Sequence, residues 1–246
     1  MTATVLEHPL CQAQIAAANA LHARLSGWQQ ADEVLSALAR HFPSNTDVAD
    51  VLPKAIVLNS LYATSVLAIQ AMSKHVAEVL AEAGGEPGIE VVEQMAWLHD
   101  LGEEKKSRRF LSFASKYCHF FVDEGRFAVL DDFAAAAIRL HLGRHAHTYA
   151  YKPNDYPEYL DAINRLRAAA GLTCSYREMD RYLWLRGQWE RWQKPESKAG
   201  VRASGVNPEV RELFSSDRPA VKALLAGAFG SSGMLQPGTG HSAQGG

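Results

Sequence analysis

The sequence predicts an all-α fold, and three observations carry that prediction. Apolar residues recur at three- and four-residue spacing in one segment after another. No run alternates apolar and polar residues up to a hairpin turn, and strands never alternate with helices as a βαβ protein requires. A single compact helical domain over residues 1–230 is expected, followed by a Gly- and Ser-rich tail over 231–246.

The elements follow in order. Ile15, Leu21 and Leu25, then Val34, Leu35 and Leu38, predict two helices parted at Ser26-Gly27. Residues 43–47 have turn composition and end in a helix cap; residues 51–80 are a long apolar stretch with breaks expected near Pro53 and Asn59. The run Gly84-Gly85-Glu86-Pro87-Gly88 stops it. Ile89, Val92, Met95 and Ala96 predict a helix that leads to a turn at Gly102, and a further helix is expected over 107–121. Asp131 or Asp132 starts the next one, which runs to Leu142. Residues 143–159 have loop composition, and helices over 159–170 and 175–192 follow. The second opens on a capping box, Ser175 with Glu178. A last helix is expected over 219–229.

Composition narrows the function. Of 246 residues, 47% are hydrophobic and 21% charged, and no apolar run reaches the length of a membrane span. Lys and Arg number 25 against 27 Asp and Glu, so a protein that coats nucleic acid by bulk charge is excluded and any nucleic-acid site must be local. Cys11, Cys118 and Cys174 are too scattered for a disulfide framework or a cysteine metal site, and the first residues do not read as a secretion signal. The cytoplasm is the expected location, with neither a membrane nor an obligate protein partner.

Local charge is concentrated at residues 105–119, where Lys105, Lys106, Arg108, Arg109 and Lys116 stand with no acid among them. On a helix, Arg109, Ser112 and Lys116 share a face with His119 close by, and the free N–H groups of a helix start favour a phosphate. Asp131 and Asp132 lie between apolar flanks. Helix capping explains them; a partly desolvated carboxylate beside basic groups is also what a developing sugar oxocarbenium ion needs.

The order of these features resembles the helix-hairpin-helix DNA glycosylases. Residues 102–106 look like the hairpin end, 108–117 like the helix that follows it, and Val129-Leu130-Asp131 like the family's apolar-Val-Asp motif. The stretch Leu58-Asn59-Ser60-Leu61-Tyr62-Ala63-Thr64 is similar to the helix that begins those domains. The resemblance covers about residues 50–190. It implies a two-lobed helical fold, double-stranded DNA as partner, no cofactor or metal, and base excision from a flipped nucleotide. Asp131 would be catalytic together with Lys116; Asn59, Tyr62, Arg109, Ser112, Tyr117 and His119 would hold the substrate; Lys105, Lys106, Arg108 and Arg186 would hold the DNA backbone. The family's Leu-Pro-Gly-Val-Gly hairpin is reduced here to Leu101-Gly102, and Arg109, which stays protonated, stands where a Schiff-base lysine is expected. A monofunctional enzyme is therefore expected.

The segments 112–118 and 182–185 resemble small bacterial proteins of this kind, some in phage defence. With the Tyr-rich loop over 145–159, this points to a hypermodified base, such as glucosylated hydroxymethylcytosine. Two other classes compete. His75 with His99-Asp100, completed by Asp131, looks like the ligand set of an HD phosphohydrolase. A helical DNA-binding module without catalysis would need only the basic segment. His141, His145 and His147 read as a polar loop more than as a zinc site, and Trp184 and Trp189 as core, with Arg186 and Trp189 as candidates to border DNA.

Overall fold

The computed structural model describes residues 5–101, 106–143, 155–194 and 205–230, with the backbone alone at 100, 101 and 106. Among them the chain is helical apart from one small hairpin. The tail 231–246, most of the loop 145–159, and Lys105 lie outside the described residues, as does the side chain of Lys106.

Helices α1 (Gln12–His22) and α2 (Ser26–His41) meet at the expected break. Asp47 caps α3 (Val48–Tyr62), accepting from the Ala49 N–H at 2.9 Å. Pro53 lies inside α3 without ending it. The break comes after Tyr62, where Ala63 (φ 48°) and Ser65 (φ 60°) adopt left-handed conformations. Asn59 holds that turn: its Oδ1 accepts from Thr64 Oγ1 at 2.8 Å and Val66 N at 3.0 Å, and its Nδ2 donates to Val66 O at 3.1 Å. Helix α4 (Ile69–Ala83) stops at Gly84, whose φ of 76° suits glycine, and α5 (Val91–Ala96) follows.

Strands β1 (Trp97–Leu101) and β2 (Lys106–Arg109) then pair antiparallel, Trp97 opposite Arg109 and Leu98 opposite Arg108. This corrects the expected helix start at Ser107 and the expectation of no hairpin. Leu98 is the only apolar residue of the hairpin that is buried among those described, so the period-2 pattern is too short to read. Side chains hold the hairpin base instead: the Arg109 guanidinium lies 5.7 Å from the Trp97 ring centre and pairs with Glu93 of α5 at 2.5 Å.

Helix α6 (Leu111–Phe121) is buried on nearly all sides. Helices α7 (Asp132–Leu142), α8 (Tyr156–Ala169), α9 (Tyr176–Trp192), α10 (Pro208–Phe214) and α11 (Pro219–Phe229) complete the chain. The Ser175–Glu178 capping box on α9 forms as expected, whereas α10 lies in a segment that reads as Gly-, Ser- and Pro-rich. Contacts fall chiefly into two sets, α2 to α6 in one and α1 with α7 to α11 in the other. One continuous apolar core joins them. Gly187 lets α9 touch α7, because a Cβ there would stand 2.2 Å from Phe133 O. No helix among the described residues is long and apolar enough to cross a membrane.

Candidate functional site

A cavity of about 420 Å³ opens where the two sets of helices meet, a size ordinary for a small-molecule site. Its most telling wall is the start of α7. Residues 127–130 run into it as irregular backbone, and side chains from two helices tie down every carbonyl. His119 Nδ1 binds Phe127 O at 2.7 Å, Tyr156 Oη donates to Ala128 O at 3.0 Å, and Tyr159 Oη donates to Val129 O at 2.6 Å. Lys116 Nζ donates to Leu130 O at 3.1 Å, and Leu130 N donates to Ser115 Oγ at 3.0 Å. Buried backbone must find such partners; here they also fix where Asp131 emerges.

Asp131 caps α7, its Oδ1 accepting from Phe133 N at 2.8 Å and Ala134 N at 3.4 Å. It lines the cavity while Asp132, inside the helix, does not, which separates the two neighbouring carboxylates. The cap role is therefore real, and a capping carboxylate keeps its second oxygen free for the cavity: Oδ2 has no hydrogen-bond partner among the described residues.

Lys116 is 3% exposed and lines the same cavity. It donates to Ser112 Oγ at 2.8 Å in addition to Leu130 O, and makes no ion pair with a carboxylate among the described residues. Burial pushes its amine below the ordinary lysine range, opposed by Asp131, then Asp180 and Asp132. Asp180 on α9 lines the same cavity and has no hydrogen bond among the described residues. Burial and then repulsion from Asp131 raise that carboxyl to about 7, against Lys116, Arg177 and Arg181. His119 is pushed down to about 4, chiefly by burial. A carbonyl only accepts, so Nδ1 keeps the proton and Nε2 carries a lone pair.

Aromatic rings line the same cavity. Trp28 and Trp184 meet edge to face at 4.7 Å, and the pairs Trp28–Tyr62 and Tyr62–Phe120 are tilted, with ring centres 5.4 and 5.5 Å apart. The Lys116 amine stands 5.6 Å from the Tyr62 ring centre. Asp32 pairs with Arg177 at 2.9 Å and with Arg181 at 3.0 Å, and Glu124 pairs with Arg177 at 3.4 Å, so two carboxylates face the two guanidiniums. An aromatic slot beside a carboxylate, a fixed amine and a second, protonatable carboxyl can stack a planar group and stabilise positive charge developing at its edge.

Of the residues expected in a site, Tyr62, Ser112, Lys116, His119 and Asp131 come together here. Others do not. Arg109 belongs to the hairpin and to Glu93, off the face of α6, because the helix starts two residues after it. Asn59 is spent on its turn, and Tyr117 points the other way, its hydroxyl donating to Asn45 Oδ1 at 3.0 Å. Arg186 donates to Phe229 O at 3.1 Å and pairs with Glu190 at 2.7 Å, which takes it from any DNA surface; Trp189 stacks on Phe229 in the core. Arg108 is exposed on the hairpin, its guanidinium 5.1 Å from the Phe110 ring centre. The basic run thus does not crown the start of α6.

Of the HD ligand set, the two histidines stand apart from Asp131, and the side chain of Asp100 lies outside the described residues. His75 and His99 border a separate, open pocket, their rings bonded to Gln94 O at 3.0 Å and Ser107 Oγ at 2.8 Å, while Asp131 lines the main cavity. Among the described residues no three His, Cys, Asp or Glu side chains are grouped to hold a metal ion. His145 and His147 lie outside those residues, and both ring nitrogens of His141 are occupied, by His8 O and the Tyr182 hydroxyl.

Sequence reasoning missed Trp28, Asp32, Arg177, Asp180 and Gln188. A signal was present on α9: residues 177, 180, 181, 184 and 188 follow helical spacing, and four of those five are polar.

Residues 12–125 match the family model HI_0787_N, described as an N-terminal domain. The match is just under half of the chain; it takes in Trp28, Tyr62, Ser112 and Lys116 and stops before Asp131 and Asp180. No curated protein and no solved structure matches at a significant level.

Proposed function

We propose that the protein is a monofunctional DNA N-glycosylase that takes a flipped modified base into the α6–α7–α9 cavity and leaves an abasic site. The observation that carries this reading is the meeting of Lys116 and Asp131 in one aromatic-walled cavity, with Asp131 fixed by its cap and by the pinned segment before it. Trp184 stacks the base, and Trp28 and Tyr62 close around its edge. Asp131 stabilises positive charge on the sugar and orients the attacking water. Lys116, tied to Ser112 and Leu130, serves as a fixed donor. Asp180, held near neutrality, is able to give a proton to the leaving base. Double-stranded DNA is the partner, approached through local charge such as Arg108 because the chain as a whole is nearly neutral.

A hypermodified base, such as glucosylated hydroxymethylcytosine of phage DNA, is the proposed substrate, and defence against phage the proposed setting. Duplexes carrying single modified bases, incubated with the protein and heated in alkali, are expected to break at the modified position. Plating a phage with glucosylated DNA and its unmodified counterpart on expressing cells tests the setting; equal plating contradicts it.

A further inference from the structure

Gln188 is fully buried in the wall of the cavity, with 0% exposure. Its Oε1 accepts from the Asn207 N–H at 2.8 Å. A backbone N–H only donates, so this bond fixes which way the amide faces. Nε2, with two hydrogens to give, finds no partner among the described residues. A buried donor left unpaired is costly, and few native side chains keep one without a use.

Its position says what the use is. Asp180, Trp184 and Gln188 follow one another at four-residue intervals along α9 and all line the cavity. At about 1.5 Å of rise per residue, Asp180 and Gln188 are about 12 Å apart along the helix. That is room for a ring against Trp184 and for something attached to the ring. The wall beside Gln188 includes Gly205, Val206 and Pro208, with the Arg211 guanidinium donating to Val206 O at 3.2 Å and that of Arg191 close to Gly205. No carboxylate is among these groups, so an amide donor here suits an oxygen acceptor.

We propose that the end of the cavity between α9 and the start of α10 is a second subsite, where Gln188 Nε2 donates to a hydroxyl or carbonyl oxygen on a substituent of the base, remote from the sugar on which Asp131 acts. This inference rests on the reading of the cavity as a flipped-base site.

The test measures binding in an Asp131→Asn background, which prevents turnover, by fluorescence anisotropy. Three duplexes are compared, identical except for one cytosine that is unmodified, 5-methylated, or glucosylated at a 5-hydroxymethyl group. The glucosylated duplex is expected to bind most tightly. In Gln188→Glu, which keeps the acceptor for Asn207 N–H but loses the amide donor, its advantage over the methylated duplex, both measured in the same variant, should fall about tenfold. Gln188→Met, of similar volume, should do the same and stands in if the acid is not tolerated. An advantage that survives both variants, or equal binding of methylated and glucosylated duplexes, overturns the subsite and leaves the glycosylase reading intact. Failure to prefer any modified duplex over the unmodified one overturns the reading beneath it.

Discussion

Replacing Asp180 by Asn should stabilise the protein at alkaline pH and do little in acid. The carboxyl is raised from 3.8 to about 7 by burial and by Asp131. Asp131 faces it from the start of α7 and Lys116 from α6, with Arg177 and Arg181 of α9 and Asp32 of α2 on the same wall. Between about pH 4 and pH 7 the native state holds a proton that the unfolded chain has given up. The stability contributed by the neutral carboxyl is therefore full below the unfolded value and lost as pH rises through 7. At about 1.4 kcal/mol per unit this amounts to at most roughly 4 kcal/mol. Asp180 is only partly buried and opens on the cavity, and solvent screening brings the expected figure to about 1–2 kcal/mol. Asn keeps the neutral form at every pH. Urea denaturation of both proteins at pH 4.5, 6 and 8 should give a gap that widens up to pH 7 and is constant above it; histidine titrations are common to both and cancel. A gap that is flat with pH would refute the assignment of Asp180 as a carboxyl forced towards neutrality.

Gly187→Ala should cost about 2–3 kcal/mol in urea, because its Cβ would meet Phe133 O at 2.2 Å, and should impair turnover by moving the start of α7; a neutral substitution would mean that the helices part freely. Borohydride trapping on substrate DNA should give little covalent adduct, whereas an abundant adduct lost in Lys116→Ala would make that buried amine a nucleophile and the enzyme a lyase. His22, His119 and His141 are each held near 4 by burial, so the stability they support is complete above the unfolded value of 6.5 and is lost as pH falls towards 4. His141→Gln should reduce the acid slope of the urea midpoint, and an unchanged slope would place the protons elsewhere.

Helices were legible where a long apolar period met a cap, as at Asp47, Asp131 and Ser175, because both signals are local; α10, capped by Asn207 but only seven residues long, was not. The hairpin was not, since Arg109 is kept in a strand by Glu93 and Trp97, partners that helical spacing does not reveal. That error carried Arg109 into the expected site. On α6 the stripe Ser112, Lys116 and His119 was readable because the helix is long enough to set its own phase. Asp180 and Gln188 became site residues only through the crossing of α9 with α7 at Gly187, a contact between segments about fifty residues apart in sequence.

Cleavage of a base from its sugar is tested most directly by identifying the small molecule released. Modified duplex DNA is incubated with the protein, the strands are removed by filtration, and the filtrate is analysed by mass spectrometry. The free modified base is expected from the parent protein and none from Asp131→Asn, with the deoxyribose left in the DNA. Release of nucleosides or nucleotides, or a free base produced equally by Asp131→Asn, would contradict it.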